Sequence, residues 1–272
     1  MKKQMKFLTL ALALFVGMTL TSCLNSDDNT TSTMSTIVKV QGSFYGTVSF
    51  VAQDGYTIEP SQESYYQTVA NGIEWEQYYG KIIQLIYSYD TTSADVVIDE
   101  DGISGVTLQS LASLDSPVEI VTSEGAQNDS IANMPIIELG DGNSITPMYW
   151  DSQTLILPIN YYIYFNGYSL NAHTFTLEYH AYEPYDGTLR LYLEHNKQKD
   201  NPTTQMTSYQ LGLVSGYYRA FDLRQLQAYF SGQQGQPMPT NITIVTREDD
   251  YALNLTDDIP TKEYVVTYTG TN

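Results

Sequence analysis

The sequence predicts an all-β protein made of a small barrel followed by a β-sandwich. Tyr is very frequent, with 24 copies among 272 residues, and aromatic and β-branched residues favour strands. Apolar and polar residues alternate in short segments that Gly-containing turns separate, which is typical of half-buried strands. Long helical patterns are absent. Together these observations predict two β domains in one chain.

The N-terminus has the features of a lipoprotein signal peptide. Three lysines precede an apolar run of 14 residues, Phe7–Leu20. This run is shorter than the ~20 residues that span a bilayer and has the length of a signal-peptide core. Leu20-Thr21-Ser22-Cys23 matches the lipobox, in which two small residues admit the peptidase and only a thiol accepts the diacylglyceryl group. We therefore assign residues 1–22 to the signal peptide and predict lipidation at Cys23. The alternative is an ordinary signal peptide that happens to contain a cysteine.

Processing at this site sets the charge of the chain and its contact with the membrane. Removing the three lysines of the signal peptide from the 12 basic residues leaves nine, against 31 acidic residues and a formal net charge of −22. This charge excludes nucleic acid as a partner, because nucleic acids bind mainly through basic residues on phosphates. Two or three acyl chains hold a protein stably to a membrane, so the lipid on Cys23 is the predicted attachment. A lone cysteine forms no intramolecular disulfide.

The first half of the mature chain predicts a tether and a barrel. Residues 23–36 are polar and lack periodicity, which indicates a flexible acidic tether. Residues 37–122 are predicted to form the barrel. In "FYGTVSFVAQDGYTIEP" an alternating segment precedes an Asp54-Gly55 turn, which is a hairpin signal, and "GKIIQLIYSYD" is a third strand. Two further strands are predicted at Val96–Ile98 and Pro117–Thr122, and five short strands fit a small barrel.

The second half predicts a linker and a sandwich. Residues 123–134 are polar and are predicted to be the linker, and residues 135–272 are predicted to form the sandwich. "LILPINYYIYF", "AHTFTLEYHAY" and "TLRLYLEH" each alternate apolar and polar residues, which predicts an antiparallel meander. Later segments bring the total to about eight strands, as in a sandwich. One short helix is predicted at "FDLRQLQAYFSG", with Asp222 as N-cap and Gly232 past its end.

The motifs for catalysis and metal binding that we tested do not match. His173 and His180 lie seven residues apart in one strand, so they face opposite ways and cannot share a metal ion. These two and His195 are each predicted to be structural. Neither HExxH nor a G-x-S-x-G elbow occurs, and "DVVIDEDGISG" fails as an EF-hand loop because Val97 and Leu108 occupy its first and last ligand positions. We expect no catalytic residue, no metal site and no cofactor.

Aromatic residues are the binding candidates. Adjacent residues in a strand face opposite ways, so one member of each tyrosine pair is a candidate for exposure. The pairs are Tyr65-Tyr66, Tyr78-Tyr79, Tyr161-Tyr162 and Tyr217-Tyr218. A tyrosine offers an apolar ring and a hydroxyl to a ligand, although the residue is also common in strands for packing reasons alone. Trp75 and Trp150 are predicted to belong to an exposed aromatic cluster that binds a glycan or an envelope protein.

Three segments resemble the NigD-like lipoproteins of gut-associated Gram-negative anaerobes. They are the lipobox followed by Ser-Asp-Asp, the hairpin "GSFYGTVSF…DGYTIEP" and the later "LRLYLEHNKQKDN…YYRAFDLRQL". The resemblance covers the mature chain and implies a small N-terminal OB-like barrel followed by an antiparallel β-sandwich. It brings no catalytic residues. The family name derives from a bacteriocin gene cluster, which implies an immunity or accessory role.

Three functions follow from these observations. We favour a lipid-anchored binding or accessory lipoprotein without catalytic activity. The first alternative is a bacteriocin immunity or accessory protein, and the second is a hydrolase.

The residues around Cys23 also predict a location. An inner-membrane retention signal would place Asp directly after the cysteine, where this chain has Leu24, so we expect the outer membrane. Ser26-Asp27-Asp28 resembles the surface-export signal of the similar lipoproteins, which predicts that the domains face outward. A flexible acidic tether is the alternative for the same acids. Asp129-Ser130-Ile131 resembles the O-glycosylation motif of these lipoproteins and predicts a sugar on Ser130.

Overall fold

The chain divides into two units, one that ends at Asp115 and one that begins at Ser116. The structure is a computed structural model that describes residues 30–42, 47–124, 132–140, 146–164, 172–198 and 211–269. Within these ranges, no helix is both long and apolar enough to cross a membrane.

The first unit is a closed β-barrel. Its strands are β1 (Thr31–Gly42), β2 (Val48–Val51), β3 (Thr57–Pro60), β4 (Ile82–Asp90), β5 (Val97–Ile98) and β6 (Gly102–Ser113). Hydrogen bonding orders them β3-β2-β1-β4-β6-β5, and a parallel pairing of β3 with β6 closes the barrel. Gly102 is required at this seam, because a Cβ there would lie 2.3 Å from the carbonyl oxygen of Thr57. Five strands closed in this way confirm the OB-like barrel that the sequence predicts.

A helix and a tight turn connect β3 to β4. The helix α1 (Gln62–Ala70) begins at the N-cap Ser61, whose hydroxyl accepts a hydrogen bond from the backbone N–H of Ser64 at 3.2 Å. A 3₁₀ turn, Trp75–Tyr78, follows. Trp75 is buried in the barrel core against Phe50, with ring centroids 5.5 Å apart. The helix and the turn therefore cover the barrel core between two of its strands.

The predicted tether of residues 23–36 is wrong at its C-terminal end. Thr31 already begins β1, which pairs antiparallel with β4 from Thr31 opposite Asp90 to Lys39 opposite Ile82. The segment is polar, but Thr is a strand-forming residue, and a full backbone ladder holds it in place. The barrel therefore begins at least six residues earlier than predicted.

The second unit is a sandwich of two sheets. Its strands are β7 (Asp115–Ser116), β8 (Val118–Val121), β9 (Glu138–Leu139), β10 (Met148–Asp151), β11 (Thr154–Tyr164), β12 (Thr174–His180), β13 (Leu189–Asn196), β14 (Leu211–Asp222), β15 (Asn241–Arg247) and β16 (Thr261–Thr267). One sheet has the order β10-β11-β14-β7, with β9 beside β11, and the other has the order β16-β15-β13-β12-β8. Apolar side chains from both sheets form one core around Tyr161, Phe175 and Phe221.

Three details of the predicted sandwich are wrong. The segment Pro117–Thr122 was assigned to the barrel, but β8 pairs with β12 of the sandwich. The meander is also interrupted, because β11 pairs with β14 in one sheet while β12 pairs with β13 in the other. Finally, the second sheet is mixed, since β8 with β12 and β13 with β15 run parallel. Each parallel pair is joined by a crossover through the other sheet, as parallel pairing requires.

The predicted helix of the second unit exists, with shifted ends. The helix α2 (Arg224–Tyr229) has Leu223 as its N-cap, one residue after the predicted Asp222. Asp222 still accepts a hydrogen bond from the backbone N–H of Arg224 at 3.0 Å. A π-helical turn continues the helix past Gly232 and ends at Gly235, whose φ of 63° is left-handed. Glycine adopts this conformation without strain.

Candidate functional site

The outward face of the β8–β16 sheet carries a cleft of about 500 Å³. Glu178 on β12 lies opposite Tyr192 on β13, and Tyr192 lies opposite Val245 on β15. Alternate residues of these strands pack into the core, so these three lie in a row on the other face of the sheet. His180 lies two residues further along β12, and Glu194 and Arg247 lie two residues further along β13 and β15 in the opposite direction, because β12 is antiparallel to β13. All three also line the cleft. The alternation that builds the core thus also builds the floor of the cleft.

His180 is the central side chain of the cleft floor. Its Nδ1 lies 3.0 Å from Oε1 of Glu183, and its Nε2 lies 3.3 Å from Oε2 of Glu178. Burial opposes protonation of the imidazole, but the two carboxylates outweigh burial and raise the pKa of His180 above its ordinary value. His180 is therefore a hydrogen-bonded residue whose surroundings favour its charged form more than water does.

Two tyrosines stack on the imidazole of His180. The ring of Tyr192 lies 4.1 Å from it at an interplanar angle of 12°, and the ring of Tyr182 lies 5.2 Å away at 21°. The hydroxyl of Tyr192 donates to Glu183 at 3.3 Å. The stacked rings, the carboxylates and the Tyr182 hydroxyl, 3.2 Å from Nδ1, all contribute to holding His180 in position.

A second ion pair lies on the same face of the sheet. Arg247 donates from Nη2 to Oε2 of Glu194 at 2.6 Å, and the Glu194 side chain is only 12% exposed. Burial raises the pKa of Glu194, and the attraction of Arg247 offsets only part of this rise. Repulsion from Glu178 adds to the rise, so the two buried carboxylates act on each other across the cleft.

The connection between β15 and β16 forms one wall of the cleft and is tied down by Lys197. The Lys197 side chain is buried, and its Nζ donates to the carbonyl of Leu253 at 2.7 Å and to Oδ1 of Asn254 at 2.6 Å. The next residue, Leu255, donates its backbone N–H to the carbonyl of Asn133 at 3.0 Å. These contacts hold Leu255, Thr256 and Asp257 at the mouth of the cleft.

The cleft offers hydrogen-bond acceptors, one guanidinium and aromatic edges rather than a set of metal ligands. In the part of the chain that the structure describes, no group of three or more His, Cys, Asp and Glu side chains is arranged to hold a metal ion. Both ring nitrogens of His180 lie within hydrogen-bond distance of carboxylates, and Nδ1 also lies 3.2 Å from the hydroxyl of Tyr182. The arrangement is chemically suited to binding a polar ligand.

The two tryptophans predicted to bind a ligand are buried. Trp75 is 1% exposed and Trp150 is 6% exposed. The Nε1 of Trp75 donates to the hydroxyl of Thr68 at 2.9 Å. The prediction that they belong to an exposed aromatic cluster is therefore wrong, because both side chains serve the packing of their own units.

The tyrosine pairs divide between core and surface. Tyr66 is 59% exposed and Tyr79 is 40% exposed, in and beside the helical segments of the barrel. Tyr161 is fully buried, and both Tyr217 and Tyr218 are buried. The idea that one tyrosine of each pair is exposed therefore fails for Tyr217-Tyr218, where both faces of the strand are covered.

Two predicted structural roles are confirmed. Nδ1 of His173 lies 2.8 Å from Nε2 of His195 in the core of the sandwich, so this pair is structural. Asp99, in the segment tested as a calcium loop, accepts hydrogen bonds from the backbone N–H groups of Asp101 and Gly102. This is a side-chain-capped turn in a segment that the sequence does not match to an EF-hand loop.

Three groups of predicted site residues lie outside the described residues, and the residues of the cleft were not predicted. The lipidation site Cys23, the export residues Ser26, Asp27 and Asp28, and the glycosylation site Ser130 lie outside the described residues. The cleft residues of β13 and β15 were not predicted, because a polar residue on the outer face of an alternating strand looks like any residue exposed to solvent. One motif could have indicated the cleft: in "LEYH" (Leu177–His180), the ionisable Glu178 and His180 flank an aromatic residue within a strand.

Comparison with known proteins gives similarities of structure. No protein-family model matches the chain, and no curated protein matches it. A crystal structure from Bacteroides fragilis, described as a "putative lipoprotein", has a TM-score of 0.66 at 20% identity and covers 89% of this chain and 100% of its own. A NigD-like immunity protein from Bacteroides caccae has a TM-score of 0.48 at 14% identity, covering 85% of this chain and 91% of its own.

The similarity to the Bacteroides fragilis structure agrees with the two-part all-β fold. The NigD-like proteins that the sequence resembles are represented among the structural neighbours. Neither description names a catalytic activity.

Proposed function

We propose that this protein is a lipid-anchored, non-catalytic lipoprotein of the outer membrane that faces the cell exterior and binds a ligand in the cleft of its sandwich. The observation that carries the binding role is the cleft itself. Its volume of about 500 Å³ falls within the range of ligand sites. Glu178 and His180 are buried at its floor, and burying charged groups is costly unless function or partners retain them.

The lipoprotein part of the proposal rests on the N-terminal sequence. The lipobox at Leu20–Cys23 supplies an acceptor for the lipid. The similar structure from Bacteroides fragilis is itself described as a lipoprotein, which supports the same assignment. A glycan or an envelope protein is the class of ligand that a surface lipoprotein would meet.

Replacing Cys23 with alanine is expected to release the protein from the membrane fraction entirely, because the thiol is the acceptor for the acyl chains. Replacing Asp27 and Asp28 together with alanine is expected to keep the lipid but protect the domains from protease added to intact cells. The measurements are membrane fractionation, intact mass and protease accessibility.

The matched control replaces Glu100 and Asp101, two exposed acids of the barrel, and should leave accessibility unchanged. If the variant at residues 27 and 28 is digested as fast as the parent, these acids form only a tether and the export part of the proposal is wrong. If the protein with Ala at position 23 stays in the membrane, the anchor is wrong.

Filling the cleft is expected to abolish ligand capture. Thr256 is exposed on the cleft wall, so Thr256→Trp fills the mouth without disturbing the core. The mature chain and this variant are tested against arrays of host and dietary glycans and against solubilised envelope proteins. Thr107→Trp, at an exposed position of the barrel, is the control. A ligand that both variants capture as well as the parent would contradict binding in the cleft.

A further inference from the structure

The cleft carries more acidic than basic side chains. Its acidic lining residues are Glu178, Glu183, Glu194 and Asp257. Arg247 is the basic partner of one of them, and His180 adds positive charge only when protonated. The lining is therefore net negative in either state of the histidine.

The two deepest carboxylates are only partly compensated. Glu178 is 6% exposed and Glu194 is 12% exposed, and they lie on neighbouring strands of the same face. In the described part of the chain, the ion pairs of each carboxylate use Oε2 alone. A carboxylate removed from water is costly unless cations or hydrogen-bond donors replace the lost solvent. A group that donates hydrogen bonds and carries positive charge would lower the energy of both carboxylates at once.

We propose that the cleft binds a cationic side chain, an ammonium or guanidinium, presented by a basic segment of a peptide or protein. This inference rests on the proposed function, since it names the ligand of the same cleft. A guanidinium forms bidentate hydrogen bonds with carboxylates, and the tyrosines at the floor provide apolar surface for its methylene chain.

The charge of the whole chain favours the same ligand. A formal net charge of −22 for the mature chain attracts a basic segment and raises its rate of encounter, most strongly at low ionic strength. An anionic ligand, such as a phosphate or an acidic sugar, would meet both the negative surface and the carboxylates of the cleft. A neutral saccharide would be tolerated but would gain no charge–charge attraction from Glu178 or Glu194.

The test compares two blocked peptides of nearly equal shape and different charge. Acetyl-triarginine amide carries three guanidinium groups, and acetyl-tricitrulline amide replaces each with a neutral urea. Calorimetric titration of the mature chain at 150 mM NaCl is expected to show at least tenfold tighter binding of the arginine peptide. Glu194→Gln is expected to weaken that binding about tenfold, because Gln still accepts from Arg247 but carries no charge. Glu183→Gln, at a more exposed position, gives a second variant with little risk to folding.

Glu59→Gln controls for the loss of one negative charge, since Glu59 is exposed on strand β3 of the barrel. It should change the affinity less than twofold. Equal binding of the two peptides, or equal losses in the Glu59 and cleft variants, would overturn the cationic assignment. If neither peptide binds while Thr256→Trp blocks capture of a neutral glycan, the proposed function stands and this inference fails. If Thr256→Trp blocks neither the arginine peptide nor any captured ligand, both fail.

Discussion

Tyr161→Ala is expected to lower the free energy of unfolding of the sandwich by about 3–5 kcal/mol, the usual cost of truncating a fully buried aromatic side chain. The ring of Tyr161 contacts His173, Phe175, His195 and Tyr217, with centroid distances of 4.9, 5.1, 5.2 and 5.6 Å. These partners come from both sheets, so the cavity left by alanine would open between the sheets. Close-packed surroundings relax only partly around such a cavity.

Two controls separate ring packing from other effects. Tyr161→Phe keeps the ring and is expected to change stability by less than about 1 kcal/mol. Tyr251→Ala removes a tyrosine of the second unit that is 88% exposed and is expected to cost less than about 0.5 kcal/mol. A phenylalanine variant as unstable as the alanine variant would show that the hydroxyl, rather than the ring, stabilises the core.

The measurement uses the two tryptophans of the chain. Trp75 lies in the barrel and Trp150 in the sandwich, and they are the only two tryptophans. In a Trp75→Phe background, the fluorescence of Trp150 reports the urea-induced unfolding of the sandwich alone. The midpoint and the slope of that transition give the free energy of unfolding for each variant.

The parts of the fold that the sequence predicts are those fixed by local alternation. The strand of Leu155, Leu157 and Ile159 and the strand of Leu189, Leu191 and Leu193 follow from a period of two. Helix α1 was missed because its residues include two tyrosines, a threonine and a valine, which favour strands. Its N-cap serine and the capping contact to Ser64 outweigh that preference in the folded chain.

The pairing of strands depends on contacts that no local pattern contains. Whether β12 follows β11 in one sheet or crosses to the other is decided by packing across the core, so the predicted meander failed there. The first residues of β1 were not predicted to form a strand for a related reason. Its residues Thr31–Thr36 are held by the ladder to β4, and the partner strand lies about 50 residues away in sequence.

The cleft could not be predicted from the sequence, because its residues come from four strands and three connections. Glu178 and Glu194 look like ordinary outward-facing residues until the register places them diagonally across two neighbouring strands. His180 was predicted to be structural, and its hydrogen bonds agree. Its place on the cleft floor follows from the alternation along β12, and the connection that Lys197 ties down forms one wall of the cleft. The two tryptophans were wrongly predicted to bind a ligand, because a large aromatic residue is as well suited to a core as to a binding surface.

Acidification below pH 6.5 is expected to destabilise the sandwich through His195. This imidazole is buried, and burial together with the neighbouring His173 and Lys197 lowers the pKa of His195 well below its ordinary value. Below pH 6.5 the unfolded chain takes up a proton at this residue and the folded chain does not. Stability therefore falls with pH by up to about 1.4 kcal/mol per pH unit until the folded pKa is reached.

His180 contributes with the opposite sign. The hydrogen bonds and charges of Glu178 and Glu183 outweigh burial and raise the pKa of His180. Its contribution to stability is fully present below pH 6.5 and is lost as the pH rises through its folded pKa. Together the two histidines predict a stability maximum near pH 6.5, with His195 responsible for the acid side and His180 for the alkaline side.

Urea unfolding of the parent, His195→Gln and His180→Gln at pH values from 5 to 8 checks this assignment, with Trp150 again as the reporter. The glutamine at position 195 is expected to lower stability at every pH but to flatten the fall below pH 6.5, because the residue no longer titrates. The glutamine at position 180 is expected to leave the acid side unchanged and to flatten the alkaline side. The difference between His195→Gln and the parent cancels the titration of carboxylates that do not interact with residue 195, whereas the difference for His180→Gln includes its coupling to Glu178, Glu183 and Glu194. An acid slope that His195→Gln leaves unchanged would contradict the assignment and place the acid sensitivity of the sandwich elsewhere.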